Sequence, residues 1–151
     1  MPQNPPAGYA TVTPYLLYHD SDAAVEFLRR AFGFSERFRM AGADGATNHA
    51  EVELEGGVIM LGTPAADHRS PEELGGRTQV VYVYVGDVDA HYAHAVAAGA
   101  QVTRELADQF YGDRTYTAHD PEGHAWSFAT RVRDVSPEEL EAGMAAASGA
   151  S

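Results

Sequence analysis

Along the chain, short alternating apolar runs bracket segments with apolar positions three to four residues apart. Residues 12–20, VTPYLLYHD, alternate and are rich in aromatic and branched side chains, which predicts a strand. SDAAVEFLRRAFG (21–33) predicts a helix. Asp20 or Ser21 can cap its start, Val25, Leu28 and Phe32 supply the apolar face, and Gly33 suits its C-terminal cap. FSERFRMA (34–41), TNHAEVEL (47–54) and VIMLGT (58–63) predict three further strands, with ADGA and EGG as turns. The order then repeats. TQVVYVYVGD (78–87) is a strand, DVDAHYAHAVAAGA (87–100) a helix, and QVTREL, RTYTAHD and HAWSFAT are strands.

The repetition extends to individual residues. An offset of 67 positions brings Tyr15 onto Tyr82, Asp20 onto Asp87, Gly45 onto Gly112, Gly56 onto Gly123 and Thr63 onto Thr130. Only the helix ends slip, by one residue, at Gly33 and Gly99. Matches in the same order at turns and helix starts mark an internal duplication of a βαβββ unit. Unit 1 spans about 10–63, a linker 64–77, and unit 2 about 78–130, so that residues 1–135 form one α+β domain. Residues 136–151 form a C-terminal helix and tail. Ser136, Pro137 and Glu139 give that helix a capping box, and the last residues, ASGAS, should be frayed.

Composition narrows the function. The 151 residues suffice for one real core. Without cysteine, disulfides and thiolate metal sites are excluded. A net charge of −12 argues against a nucleic-acid partner, which needs a basic stripe, and would steer cationic ligands inward. It also serves solubility alone. No apolar run is long enough for a bilayer, and the first residues carry no signal-peptide pattern, so a cytoplasmic protein without a membrane partner is expected.

The duplicated unit, with DPEGH before its last strand, resembles the vicinal oxygen chelate superfamily, which includes glyoxalase I, extradiol dioxygenases and bleomycin-resistance proteins. NHAEVELEGGVIML, VYVGDVDAHYAHAVAAGA and QFYGDRTYTAHDPEGHAWSFAT are similar to the PhnB-like, glyoxalase/bleomycin-resistance branch. The resemblance implies two units whose strands curl into a half-open cup, usually completed in a homodimer. It also implies metal ligands on the first and last strands of each unit. The matching positions are Thr13, Met60, Val80 and Ser127. Two hydroxyls, a thioether and an isopropyl group do not make a site for a divalent first-row metal. The expectation is therefore no cofactor, with a divalent metal at a displaced site as the alternative.

Strand alternation sorts the side chains. Leu16, Tyr18, Ile59, Leu61, Val81, Val83, Val85, Trp126 and Phe128 should lie under the helices. The other face carries Tyr15, Met60, Tyr82, Tyr84 and Ser127, with His49, Glu51 and Glu53 beside Met60 and, by the offset, Tyr116 in the place of His49. One reading makes Tyr15, Tyr82, Tyr84 and Tyr116 a stacking box around His49 and Glu51; the other makes them sheet or dimer packing. His49 and Glu51 can contact a ligand, satisfy each other, or share a metal if His119 or His124 supplies a third ligand. The resemblance places Phe110–Arg114, including Tyr111, in a loop over the cup, with Asp113 and Arg114 expected as a loop-fixing ion pair. His91 and His94, at helical spacing, could hold a metal but fit a solvated helix face better.

Two function classes follow. The favoured one is a metal-free homodimeric binder that sequesters a small aromatic or cationic molecule, as bleomycin-resistance proteins do. Its ligand contacts are Tyr15, His49, Glu51, Met60, Tyr82, Tyr84, Tyr111, Tyr116 and Ser127. The alternative is a glyoxalase-like lyase or isomerase, or a dioxygenase, either with a displaced metal or, for an isomerase, with Glu51 or His49 as base.

Overall fold

A computed structural model describes residues 1–149. The order is β1 (Tyr15–Leu17), α1 (Ser21–Phe32), β2 (Ser35–Ala41), β3 (Thr47–Leu54), β4 (Gly57–Gly62), α2 (Pro71–Leu74), β5 (Val80–Tyr84), α3 (Val88–Ala97), β6 (Gln101–Asp108), β7 (Asp113–His119), β8 (Ala125–Arg131) and α4 (Pro137–Gly149). The expected α+β fold of two tandem βαβββ units is present. Unit 1 forms a four-stranded sheet in the order β1-β4-β3-β2 and unit 2 one in the order β5-β8-β7-β6. In each, the first strand runs parallel to the last and the remaining pairs are antiparallel.

The helix starts repeat as the offset predicts. Asp20 accepts from Ala23 N at 2.9 Å, and Asp87 from Ala90 N at 3.0 Å. Gly33 closes α1 in the left-handed conformation, with φ 77°. β1 is shorter than its alternating run, because Pro14 has no N–H to give to a ladder. The linker is not all loop. Its SPEEL stretch forms α2 with a Ser70/Glu73 capping box, and the identical stretch at 136–140 starts α4 with the same box from Ser136 and Glu139.

The helix sides of both sheets share one core. Trp126 of β8 packs against Phe32 and Phe34 at centroid distances of 5.8 and 5.5 Å, and Phe128 packs against Phe32 at 4.8 Å. The DPEGH turn adds a polar clasp. Buried Asp120 accepts from the Tyr18 hydroxyl of unit 1 (2.6 Å), Trp126 Nε1 (3.0 Å), and the backbone N–H groups of Glu122 and His124 (3.1 and 3.0 Å). Burial, then the neighbouring Asp120, pushes the Tyr18 hydroxyl pKa well above its ordinary value, so it stays a donor. Glu122 accepts from the backbone of His19 and Asp20, and His124 donates to the Leu17 carbonyl.

His94 is exposed, as a solvated helix face requires, but His91 is half-buried, and both reach back to α1. Their Nε2 atoms donate to the carbonyls of Phe32 (2.8 Å) and Arg30 (2.7 Å), two of the groups that the last turn of α1 leaves without helical partners. With Nε2 donating, His91 Nδ1 is the acceptor for the Tyr116 hydroxyl at 2.7 Å.

Replacing Asp120 with Ala strands two side-chain donors and two backbone donors in the core. Its expected cost is about 3 kcal/mol or more. Tyr18→Phe removes one donor and leaves Asp120 three, for about 1 kcal/mol. Urea unfolding of both variants measures the order, and equal costs would contradict the clasp. Burial also lowers the His91 pKa below 6.5. The unfolded chain therefore takes up a proton that the folded chain resists, so stability should fall as pH drops below about 6.5. His119 is lowered likewise, by burial first and then by Arg77, and adds to the same loss. Thermal unfolding from roughly pH 7.5 to 5.5 should show this decline, less steeply in His91→Gln.

Candidate functional site

The faces away from the shared core carry the candidate residues. On unit 1 the register sets Tyr15, Met60, Glu51 and Phe38 in one row across the sheet. The Tyr15 hydroxyl lies 3.0 Å from His49 Nδ1. This needs Gly62, where an added Cβ would stand 2.5 Å from the Tyr15 oxygen. Glu51 is only 3 % exposed. Its carboxylate accepts from Tyr9 (2.5 Å), faces His49 Nε2 at 3.4 Å, and has Arg37 Nε at 3.8 Å. Arg37, at a bulge in β2, also lies over the Tyr9 ring at 4.7 Å and donates to the Gly8 carbonyl. The residues before β1 thus cover Glu51, and the chain itself satisfies the His49–Glu51 pair.

Unit 2 departs from the expected register. In unit 1 eight residues separate the facing pair Glu51 and Met60, whereas nine separate Thr117 and Ser127. That additional residue in the DPEGH connection shifts β7 by one and exchanges its faces. Thr115 and Thr117, not Tyr116, share the outer face with Ser127. Tyr116 is 1 % exposed and stacks on Phe128 at 5.4 Å, inside the core. It is removed from the box.

What remains outside is ordered from edge to edge. Tyr82, Ser127, Thr117 and Arg104 are successive register partners across β5, β8, β7 and β6. Tyr82 and Tyr84 are 41 % and 57 % exposed, yet both hydroxyls donate to Asp113 Oδ2 at 2.8 Å. Asp113 is buried and also accepts from Arg131 at 3.2 Å. Burial alone would raise its pKa, but the two tyrosines and Arg131 outweigh it and hold the carboxyl below the ordinary range. The Tyr82 hydroxyl is pushed up by burial, then by Asp113 and by Tyr111, which joins this group. The Asp113–Arg114 pair does not form. Neighbours on a strand face opposite ways, and Arg114 instead bonds Asp89 and Asp108, both at 3.0 Å. Asp113 was invisible as an anchor in the sequence, because only the fold brings it beneath two tyrosines 29 and 31 positions away.

An opening of about 560 Å³ lies on this face over Thr117, Ser127 and Val80, with Arg77, Arg104 and His119 on its walls. Tyr82 and Tyr84 line a separate cleft of about 460 Å³ together with Val12, Pro14 and Glu55. The donors do not fit the metal that the resemblance implies. Besides the unsuitable set at Thr13, Met60, Val80 and Ser127, His124 is engaged with unit 1 and His119 lies on the unit 2 face. Among the described residues no three His, Cys, Asp or Glu side chains are placed to share an ion.

Comparison with known proteins agrees with this architecture. Residues 10–128 match the family model described as the Glyoxalase/Bleomycin resistance protein/Dioxygenase superfamily. Uncharacterized proteins of Mycobacterium bovis and Mycobacterium tuberculosis are 36 % identical over 138 residues, covering 88 % of this chain and 91 % and 81 % of theirs. The crystal structure of TioX from Micromonospora sp. ML1 is 34 % identical with a TM-score of 0.66, over 80 % of this chain and 98 % of TioX. A Nocardioides glyoxalase/bleomycin resistance protein/dioxygenase structure, 23 % identical with a TM-score of 0.64 over 85 % and 87 % of the two chains, shares the fold. With its duplicated βαβββ units and a family match spanning most of its length, the chain belongs to the glyoxalase/bleomycin resistance protein/dioxygenase superfamily.

Proposed function

We propose that this chain is a small-molecule-binding protein that holds a flat aromatic ligand, without a metal, on the outer face of unit 2. The carrying observation is the state of Tyr82 and Tyr84. Their rings face solvent while their hydroxyls are fixed on one buried carboxylate. Core packing accounts for Tyr18 and Tyr116 but not for this pair. Rings already held in place lose little entropy on stacking a ligand. Tyr111 and Ser127 border the same surface, and Asp113 is its positioning residue.

The cationic option loses its anchors. Glu51 is covered by Tyr9 and Arg37, and Asp113 is matched by Arg131. For the same reason Glu51 is poorly placed as a base. The segment resemblance supports a PhnB-like placement within the superfamily.

A homodimer belongs to this proposal. Tyr15, Phe38, Met40, Val80, Tyr82 and Tyr84 are all exposed apolar or aromatic side chains, and a second copy covering the outer faces would shield them. His49 and Met60, on the outer face of unit 1, would then border the completed groove.

A thermal-shift screen of aromatic compounds, followed by calorimetry, tests the binding site. Tyr82→Ala and Tyr84→Ala should each weaken binding by about 1 kcal/mol, whereas Glu51→Gln should leave it unchanged. Affinity indifferent to both tyrosines would overturn the assignment. Sedimentation at micromolar concentration should give twice the 16.2 kDa chain mass, and a purely monomeric species would contradict the dimer.

A further inference from the structure

The chain has ten cationic side chains, all arginine, against 22 acidic ones. Six arginines have a carboxylate within 4 Å: Arg29, Arg37, Arg39, Arg114, Arg131 and Arg133. Among the described residues, Arg30, Arg69, Arg77 and Arg104 have none. In so acidic a protein an arginine without a carboxylate needs a reason, and three of these four converge. Arg77 and Arg104 line the 560 Å³ opening on unit 2. Arg77 and Arg69 line an adjoining opening of about 510 Å³, beside His68, whose Nε2 is buried and has no hydrogen-bond partner. Neither opening is lined by a carboxylate. The remaining polar side chains of the first are hydroxyls of Thr78, Thr103, Thr117 and Ser127, the Gln79 amide and His119.

The register adds direction. From β5 to β6 the row runs Tyr82, Ser127, Thr117, Arg104, from aromatic through hydroxyl to guanidinium. Three strand spacings separate its ends, roughly 14 Å between backbones. A two-ring aromatic molecule with one polar end, met by a tyrosine ring at one end of the row and an arginine side chain at the other, is of the length to span that gap. The Arg104 side chain makes no hydrogen bond to the described residues, and that of Arg77 spends only Nε, on the Gly123 carbonyl at 2.8 Å. Both guanidinium groups thus keep donors for a planar or tetrahedral oxyanion, which they can grip in bidentate fashion.

We infer that the unit 2 face takes an aromatic anion, its ring on Tyr82 and Tyr84 and its carboxylate or phosphate between Arg104 and Arg77. This specifies the ligand class of the proposed function and rests on the reading of that face as the pocket. Net charge alone points the other way, towards cations. The local arrangement outweighs it, because two guanidinium groups within a few ångströms of an anion act more strongly than a diffuse field from charges beyond a Debye length.

The test is calorimetry with four probes that share one ring system: 2-naphthoate, 2-naphthyl phosphate, 2-naphthylmethylammonium and neutral 2-naphthalenemethanol. One or both anions should bind about tenfold or more tightly than the ammonium and the alcohol, since a charge-assisted hydrogen bond is worth that factor. Arg104→Gln should reduce anion affinity about tenfold and leave the alcohol unchanged, with Arg104→Lys recovering part of the loss. The relative strength of the two anions separates carboxylate from phosphate. If alcohol and anions bind equally, or the ammonium binds best, the anion inference fails while the aromatic pocket stands. If none of the four binds, the pocket and the inference fail together.

Discussion

The carboxylate of Asp120 is the contact on which the arrangement of the two units turns. It sits in the core with four donors around it, two from side chains and two from the backbone of its own turn. A buried carboxylate is stable only when its hydrogen-bonding capacity is filled, and here one of those donors, Tyr18, comes from the other unit. The DPEGH turn therefore cannot form its full network unless unit 1 is docked. Trp126, two residues beyond the turn, then meets Phe32 and Phe34, and His91 and His94 reach the open carbonyls at the end of α1. Apolar burial supplies the bulk of the stabilisation, while these directional contacts fix which faces turn inward.

Once the helix sides are committed to one another, the opposite faces are left outside, and the two copies have used theirs differently. Unit 1 fills its face from within, with Tyr9 and Arg37 closing over Glu51 and Tyr15 lying against His49. Unit 2 keeps its face open, with Tyr82 and Tyr84 braced on Asp113 and two arginines free of carboxylates lining the 560 Å³ opening. The resemblance to metal-dependent relatives thus extends to the scaffold but not to the donor set. In the proposed function, binding on this face rests on rigid rings and guanidinium groups rather than on a coordinated ion.

Periodicity was sufficient for the two units, since the helix of each, all eight strands and the C-terminal capping box follow from local pattern, though α2 in the linker did not. It failed where one residue decides a face. The 67-residue offset holds at Gly45, Gly56 and the helix starts, but the DPEGH connection is one residue longer, and that sends Tyr116 into the core. Asp113 and Arg114 read as a pair because they are adjacent, though adjacency on a strand separates them. Tyr9 lay in a Pro- and Gly-rich stretch with no pattern at all. The free arginines were hidden by the net charge, because a total says nothing about which cations have partners.

The most direct check on the central claim, that the outer face of unit 2 is the binding surface, is fluorine NMR of protein labelled with 3-fluorotyrosine. The eight tyrosines report from both faces and from the core. Titration with 2-naphthoate should move the Tyr82 and Tyr84 resonances, assigned by single substitution to Phe, and leave those of core Tyr18 and Tyr116 in place. Saturable binding during which Tyr82 and Tyr84 do not move would show that the ligand sits elsewhere and would contradict the account.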